Sequence, residues 1–143
     1  MTLRKLVVFL GIALMVFGPV TVGCSENSSE SGSGGKPAVA NLDGAEAFRK
    51  ALADAGSGLV VVDFYADWCA PCRKLSPMLD ELARKYPDKA VFYRVNVDQN
   101  EDLIRVYRIT GIPHVIFFRN SQAVHAIIGA QDKDAYVSAL QRL

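Results

Sequence analysis

Cysteine is scarce in this sequence. Three cysteines in 143 residues are too few for a scaffold stapled by disulfides, and a chain of this length buries an adequate core without them. Cationic runs are missing beyond Arg4 and Lys5, the only charges before Cys24. The formal net charge is +1, and without those two residues 14 basic groups face 15 acidic ones, a charge of −1. A near-neutral body offers no electrostatic case for nucleic acid as a partner. No internal repeat occurs, which excludes a solenoid or array. What is present is ordinary for a globular chain: 50% hydrophobic and 22% charged residues, enough for one domain.

The first 23 residues form an address. Arg4 and Lys5 precede an apolar run from Leu6 through Phe17. Gly18 and Pro19 break it, and small residues lead to Cys24. This is the pattern of a secretory signal peptide. The ending TVGC resembles a bacterial lipoprotein signal, with Thr21 where Leu is commonest. The resemblance implies lipidation of Cys24 and a protein exported from the cytoplasm, periplasmic in a bacterium with two membranes and lipid-anchored there. Ordinary cleavage leaving Cys24 free, or an uncleaved anchor, are the alternatives, and the run is at the short limit for spanning a bilayer. Ser25 in place of Asp after Cys24 points to an outer membrane where two exist. Residues 24–36 are Ser- and Gly-rich without an apolar side chain after Cys24. Such a coil reaches roughly 20 Å and suits a tether.

From residue 37 to 143 the pattern alternates. AVANL reads as a short strand. DGAEAFRKALADAG reads as a helix capped by Asp43 with Glu46 at capping-box spacing, Phe48, Leu52 and Ala55 on one face, and Gly56 at its end. LVVVDFYA is a continuous apolar strand interrupted by one acid, Asp63, as expected of a central strand buried on both faces. From Cys69 to Tyr86 the spacing of Leu75, Leu79, Leu82 and Tyr86 is helical, with Pro77 expected to kink it. AVFYRVNVD is a third strand and NEDLIRVYRI a short helix. HVIFFRN and AVHAIIG form a hairpin across Asn120 and Ser121. DKDAYVSALQRL closes with a helix that turns Tyr136, Val137 and Leu140 inward. The fold class is α/β, a mixed sheet covered by helices on both faces.

Cys69 and Cys72 stand at the junction of the central strand and its helix, separated by Ala70 and Pro71. A structural disulfide, half of a metal site and a redox pair are all open to such thiols. The position favours redox chemistry. Unsatisfied N–H groups and the dipole at a helix start stabilise an anion, so Cys69 becomes the attacking thiolate. Cys72 lies one turn on, on the same face, within reach of a mixed disulfide formed by Cys69. Pro71 costs little in a first helical turn. A metal reading would use Cys69, Cys72 and His114, but a fourth ligand is not evident.

VVDFYADWCAPCRKLSPMLDELA, followed by GIPHVIFF and IIGAQ, resembles the thioredoxin family across residues 37–143. The resemblance implies the thioredoxin fold. It implies a thiol–disulfide oxidoreductase that needs no cofactor beyond the redox-active Cys69–Cys72 pair and acts as a monomer on disulfide-containing proteins. Cys69 is then the exposed nucleophile and Cys72 the buried resolving thiol. Asp63 matches the buried acid that exchanges a proton with the resolving cysteine; as a lone acid in an apolar strand, its burial would raise its pKa. Trp68 covers the site, with Ala70 and Pro71 at the substrate surface. Ile112 and Pro113 match the loop whose cis-proline faces the thiols and whose backbone pairs with substrate. Gly111 and Gly129 border that surface.

Three positions depart from the family. Ala70 replaces the commoner Gly, at a site that tunes redox potential. Arg94 replaces the Lys that neighbours the buried acid, and Arg keeps its charge. His114 follows the proline in place of Thr; a charged or neutral imidazole near Cys69 would favour the thiolate, or else it is a partly exposed strand residue without a role. The expected direction is reduction of protein disulfides, supplied with electrons by a membrane thiol donor. An oxidase or isomerase, and a reductant for cytochrome c maturation, are the competing enzyme readings. A structural domain with an idle disulfide is the other.

Overall fold

The computed structural model describes residues 38–143; the leader, Cys24, the tether and Pro37 lie outside the described residues. Ten elements follow in order: β1 (Val39–Asn41), α1 (Gly44–Asp54), β2 (Leu59–Tyr65), α2 (Ala70–Lys85), β3 (Ala90–Asn96), a 3-10 turn (Val97–Gln99), α3 (Glu101–Tyr107), β4 (His114–Arg119), β5 (Gln122–Ile128) and α4 (Lys133–Arg142). The strands form one sheet in the order β1-β3-β2-β4-β5. β1, β3 and β2 are parallel, β4 is antiparallel to β2, and β5 is antiparallel to β4. The crossover from β2 to β3 runs through α2, as a parallel pair requires.

β2 is the central strand, and its residues alternate between two cores. Leu59 and Val61 join Val115 and Phe117 beneath Leu75, Leu79 and Leu82 of α2 and Tyr136, Ala139 and Leu140 of α4. Val60, Val62 and Phe64 join Ile116 and Phe118 beneath Phe48 and Leu52 of α1 and Leu103 of α3. Each such side chain contributes about 1.5–3 kcal/mol by leaving water. Val137 is only half-buried; Ala139 takes the inward position.

The start of α1 departs from expectation. Asp43 occupies the N-cap backbone position of α1 but makes no side-chain capping bond, so no capping box forms with Glu46. Gly44 has φ +82°, and its N–H instead donates to Asn100 Oδ1 at 2.8 Å. α2 runs as one helix through Pro77. Gly56 ends α1 with φ +54°, and Asn120 and Ser121 turn the hairpin with φ of 52° and 60°.

Candidate active site

The C-terminal ends of β2 and β3 lie side by side, with Tyr65 opposite Asn96. Ligand chemistry gathers at such parallel strand ends. Cys69 caps the helix that follows β2: its Sγ accepts from Cys72 N–H at 3.2 Å, and its carbonyl accepts from Arg73 N–H at 3.2 Å. Pro71 falls in the first turn. Cys69 and Cys72 are joined in a disulfide, with Cα atoms 5.3 Å apart. The donor that now meets a disulfide sulfur would meet a thiolate on reduction, the anion that a helix start stabilises.

Cys69 is not exposed in this state. It is 4% accessible and Cys72 2%, in a small cluster with Ala66 against which Tyr65, Val97 and Ile112 pack. Trp68 is the exposed residue, 68% accessible, and its ring is fixed by a hydrogen bond from Nε1 to Asp98 Oδ2 at 2.9 Å. The strap continues inward. Asp98 N–H donates to Asn96 Oδ1, and Asn96 Nδ2 reaches Asp67 Oδ2 at 3.4 Å. Asp98, Asn96 and Asp67 escaped the reading of the sequence, although a polar run directly after a parallel strand is a signal for them.

On the far side of the thiols the Ile112–Pro113 peptide is cis. Gly129, with φ +78°, donates its N–H to Pro113 O at 2.8 Å, which joins the proline loop to the end of β5. Gly111, Ala70 and Pro71 are exposed around this rim.

Asp63 is 2% exposed, and its Oδ1 lacks a hydrogen-bond partner. Burial pushes its carboxyl up from 3.8 to about 7, against the opposing pull of Arg94. It lines a cleft of about 170 Å³ with Cys72, Ser76, Arg73 and Arg94. A cleft of that size has room for a few waters, and Asp63 and Cys72 both line it.

His114 sits elsewhere. It opposes Phe64, on the sheet face covered by α1 and α3 rather than the face of Asp63. The ring is 5% exposed, not partly exposed as expected, and Nδ1 is buried without a partner. Burial lowers its pKa, which favours the neutral ring over a charge lent to Cys69. Among the described residues no group of three or more His, Cys, Asp or Glu is arranged to hold a metal.

The thioredoxin family profile matches residues 39–142. Thioredoxin-T of Drosophila melanogaster is 45% identical over 71 residues, 50% of this chain and 45% of that protein. The chloroplastic M-type thioredoxin of Spinacia oleracea is 39% identical over 83 residues, 58% of this chain and 46% of that one. The chain thus spans a little under half the length of these two relatives. It covers 83% of the thioredoxin of Chlamydia pneumoniae, with 36% identity over 86 residues, 60% of this chain. The solved structure of Fasciola hepatica thioredoxin superposes with a TM-score of 0.69 at 32% identity, covering 73% of this chain and 98% of that one. With this sheet order, a disulfide at the start of α2 and a cis-proline opposite it, the chain belongs to the thioredoxin family.

Proposed function

We propose that this protein is a thiol–disulfide oxidoreductase that reduces disulfides of other proteins outside the cytoplasm, held at a membrane through Cys24. The observation that carries the reading is the Cys69–Cys72 disulfide at the start of α2, with Cys72 and the buried Asp63 in one cleft. In the reduced form the Cys69 thiolate attacks one sulfur of a target disulfide. A mixed disulfide forms, and the first target sulfur leaves as a thiolate that takes up a proton. Cys72 passes its proton to Asp63 and attacks Cys69 Sγ. The second target sulfur leaves as a thiolate and takes up the proton that Asp63 returns, and the Cys69–Cys72 bond closes. The target gains two electrons and two protons; a thiol donor returns them to the pair. Trp68, Ile112, Pro113 and Gly129 supply the surface along which the target chain lies.

Reduction of a disulfide-bonded protein by the dithiol form, followed at substoichiometric amounts with a thiol donor, tests this reading. Turnover that disappears in Cys69→Ser supports it, and a wild-type protein without turnover refutes it. Direction is read from the equilibrium with glutathione. A potential near about −270 mV marks a reductant, and one near about −120 mV an oxidant. Trapping with Cys72→Ser, in which the mixed disulfide cannot resolve, identifies targets and the membrane thiol donor. The location rests on residues 1–36: Cys24→Ala moves an anchored protein into the soluble envelope fraction, and unchanged membrane association would refute the anchor.

A further inference from the structure

Asp63 and Arg94 are direct neighbours in the β2–β3 ladder, on the face covered by α2. Position alone would make them an ion pair. The two make no hydrogen bond to each other. Arg94 Nη2 lies 3.9 Å from Asp80 Oδ1 on α2, and its guanidinium lies 5.5 Å from the Tyr65 ring centroid. Asp63 Oδ1, Arg94 Nε and Arg94 Nη2 are all buried without hydrogen-bond partners, beside the cleft that Cys72 lines. Two complementary groups stand in register, each unsatisfied, with Asp80 and Tyr65 beside the guanidinium.

We propose that Asp80 and Tyr65 are positioning residues that hold the Arg94 guanidinium off Asp63, so that Asp63 remains able to take and return the proton of Cys72. The inference rests on the oxidoreductase reading and extends it to residues outside the thiol motif. Its physical basis is the reach of an arginine. A carboxylate paired with Arg loses proton affinity by about 1–3 pH units, and an acid so paired is a poor proton acceptor near neutrality. Lysine discharges when buried, but Arg does not. With Arg at this place the distance between the groups, not the charge state of the cation, must set the acid.

The other groups around Asp63 are already engaged or distant in kind. From the turn before α2, Asp67 contributes its carbonyl to Arg73 Nη1 at 2.8 Å, which fixes that second cation. From α4, the Tyr136 hydroxyl donates to Gly129 O at 3.5 Å, and its phenol is pushed up by burial and by the charge of Asp63. Tyr65 from β2 and Cys72, Arg73 and Asp80 from α2 complete the surroundings. Asp80 is partly exposed, so its replacement leaves the core intact.

The test is a carbon-13 NMR titration of the Asp63 carboxyl in the oxidised, intact chain, paired with the pH profile of disulfide reduction. Asp80→Asn should lower the Asp63 midpoint by about one pH unit or more and carry the matching limb of the rate profile with it. Asp80→Glu should restore both. In an Arg94→Leu background, Asp80→Asn should leave the midpoint where Arg94→Leu alone puts it. An Asp63 midpoint unmoved by Asp80→Asn overturns the proposal. So does an equal displacement with Arg94→Leu present, which would show Asp80 acting directly by its own charge. Failure of the oxidoreductase reading is seen separately, as a wild-type protein without reductase turnover whose Asp63 still titrates.

Discussion

On the sheet face under α1 and α3, Phe48, Phe64, Tyr107 and Phe118 close on one another with ring centroids 5.2 to 6.2 Å apart, two pairs edge to face. On the opposite face, under α2 and α4, the apolar cluster reaches Val61 on β2 and Phe92 on β3, and the next positions on that face hold Asp63 and Arg94. The same three strands supply both faces. One is closed with rings, which adds about 0.5–1.5 kcal/mol per pair beyond area burial. The other spends stability on a buried carboxyl without a partner, next to the thiols that need it. Packing and chemistry are thus divided by the alternation of side chains along β2.

Cys69→Ser separates the two most sharply. It should reduce disulfide turnover by on the order of a thousandfold or more, since the covalent step has no substitute. Thermal unfolding should match that of the reduced wild type. A variant with turnover near wild type would break the assignment of chemistry to this end of the sheet.

Phe48→Ala tests the other face. Phe48 touches Phe64, Tyr107 and Phe118 and is fully buried. Its truncation should cost about 3–5 kcal/mol in denaturant unfolding. Turnover per folded molecule should stay near wild type at low temperature. A loss of turnover out of proportion to the unfolded fraction would show that the aromatic face reaches into the site.

Asp63→Asn should act on both quantities, in opposite directions. A carboxyl whose folded pKa is raised favours the folded state at low pH. Stability from that source is complete below about 4 and declines as pH rises to about 7. Over that displacement the loss is about 4 kcal/mol. The Asn variant escapes the decline, so it should unfold later than wild type at pH 8 and alike near pH 4. Resolution by Cys72 should slow about a hundredfold. Equal stability of the two proteins across this pH range would show that Asp63 is ionised without cost, contrary to its burial.

The elements were legible where the local pattern and the tertiary demand agree. The unbroken apolar run of β2, the leucine spacing of α2 and the Asn120–Ser121 turn each announce themselves within a few residues. The redox pair was legible too, because its helix start is set by the chain next to it. What escaped depends on neighbours distant in sequence. Asp43 makes no side-chain cap, and the Gly44 N–H is taken by Asn100. Val97 and Ile112 pack against the cluster that holds Cys69, and Trp68 is tied to Asp98. Those meetings follow from β3 lying beside β2, a sheet order that differs from chain order. Asp80 gains meaning only once Arg94 is seen to face α2.

His114 offers the smallest effect and the finest test of the division between faces. Its ring is buried among the apolar residues of the α1 and α3 side, with Nδ1 unpaired. Burial lowers its pKa, so the neutral ring is favoured by folding. That contribution is present above the ordinary value of 6.5 and is lost as pH falls below it. His114→Phe removes a buried polar atom without a partner, a change that is close to neutral or stabilising. The variant should therefore equal wild type within about 1 kcal/mol at pH 8 and exceed it at pH 5. The thiolate titration of Cys69, followed by thiolate absorbance in the reduced protein, should stay in place, because a neutral ring on the other face lends the sulfur no charge. A rise in the Cys69 midpoint would show that the imidazole acts across the sheet, and the two faces would then share the chemistry as well as the strands.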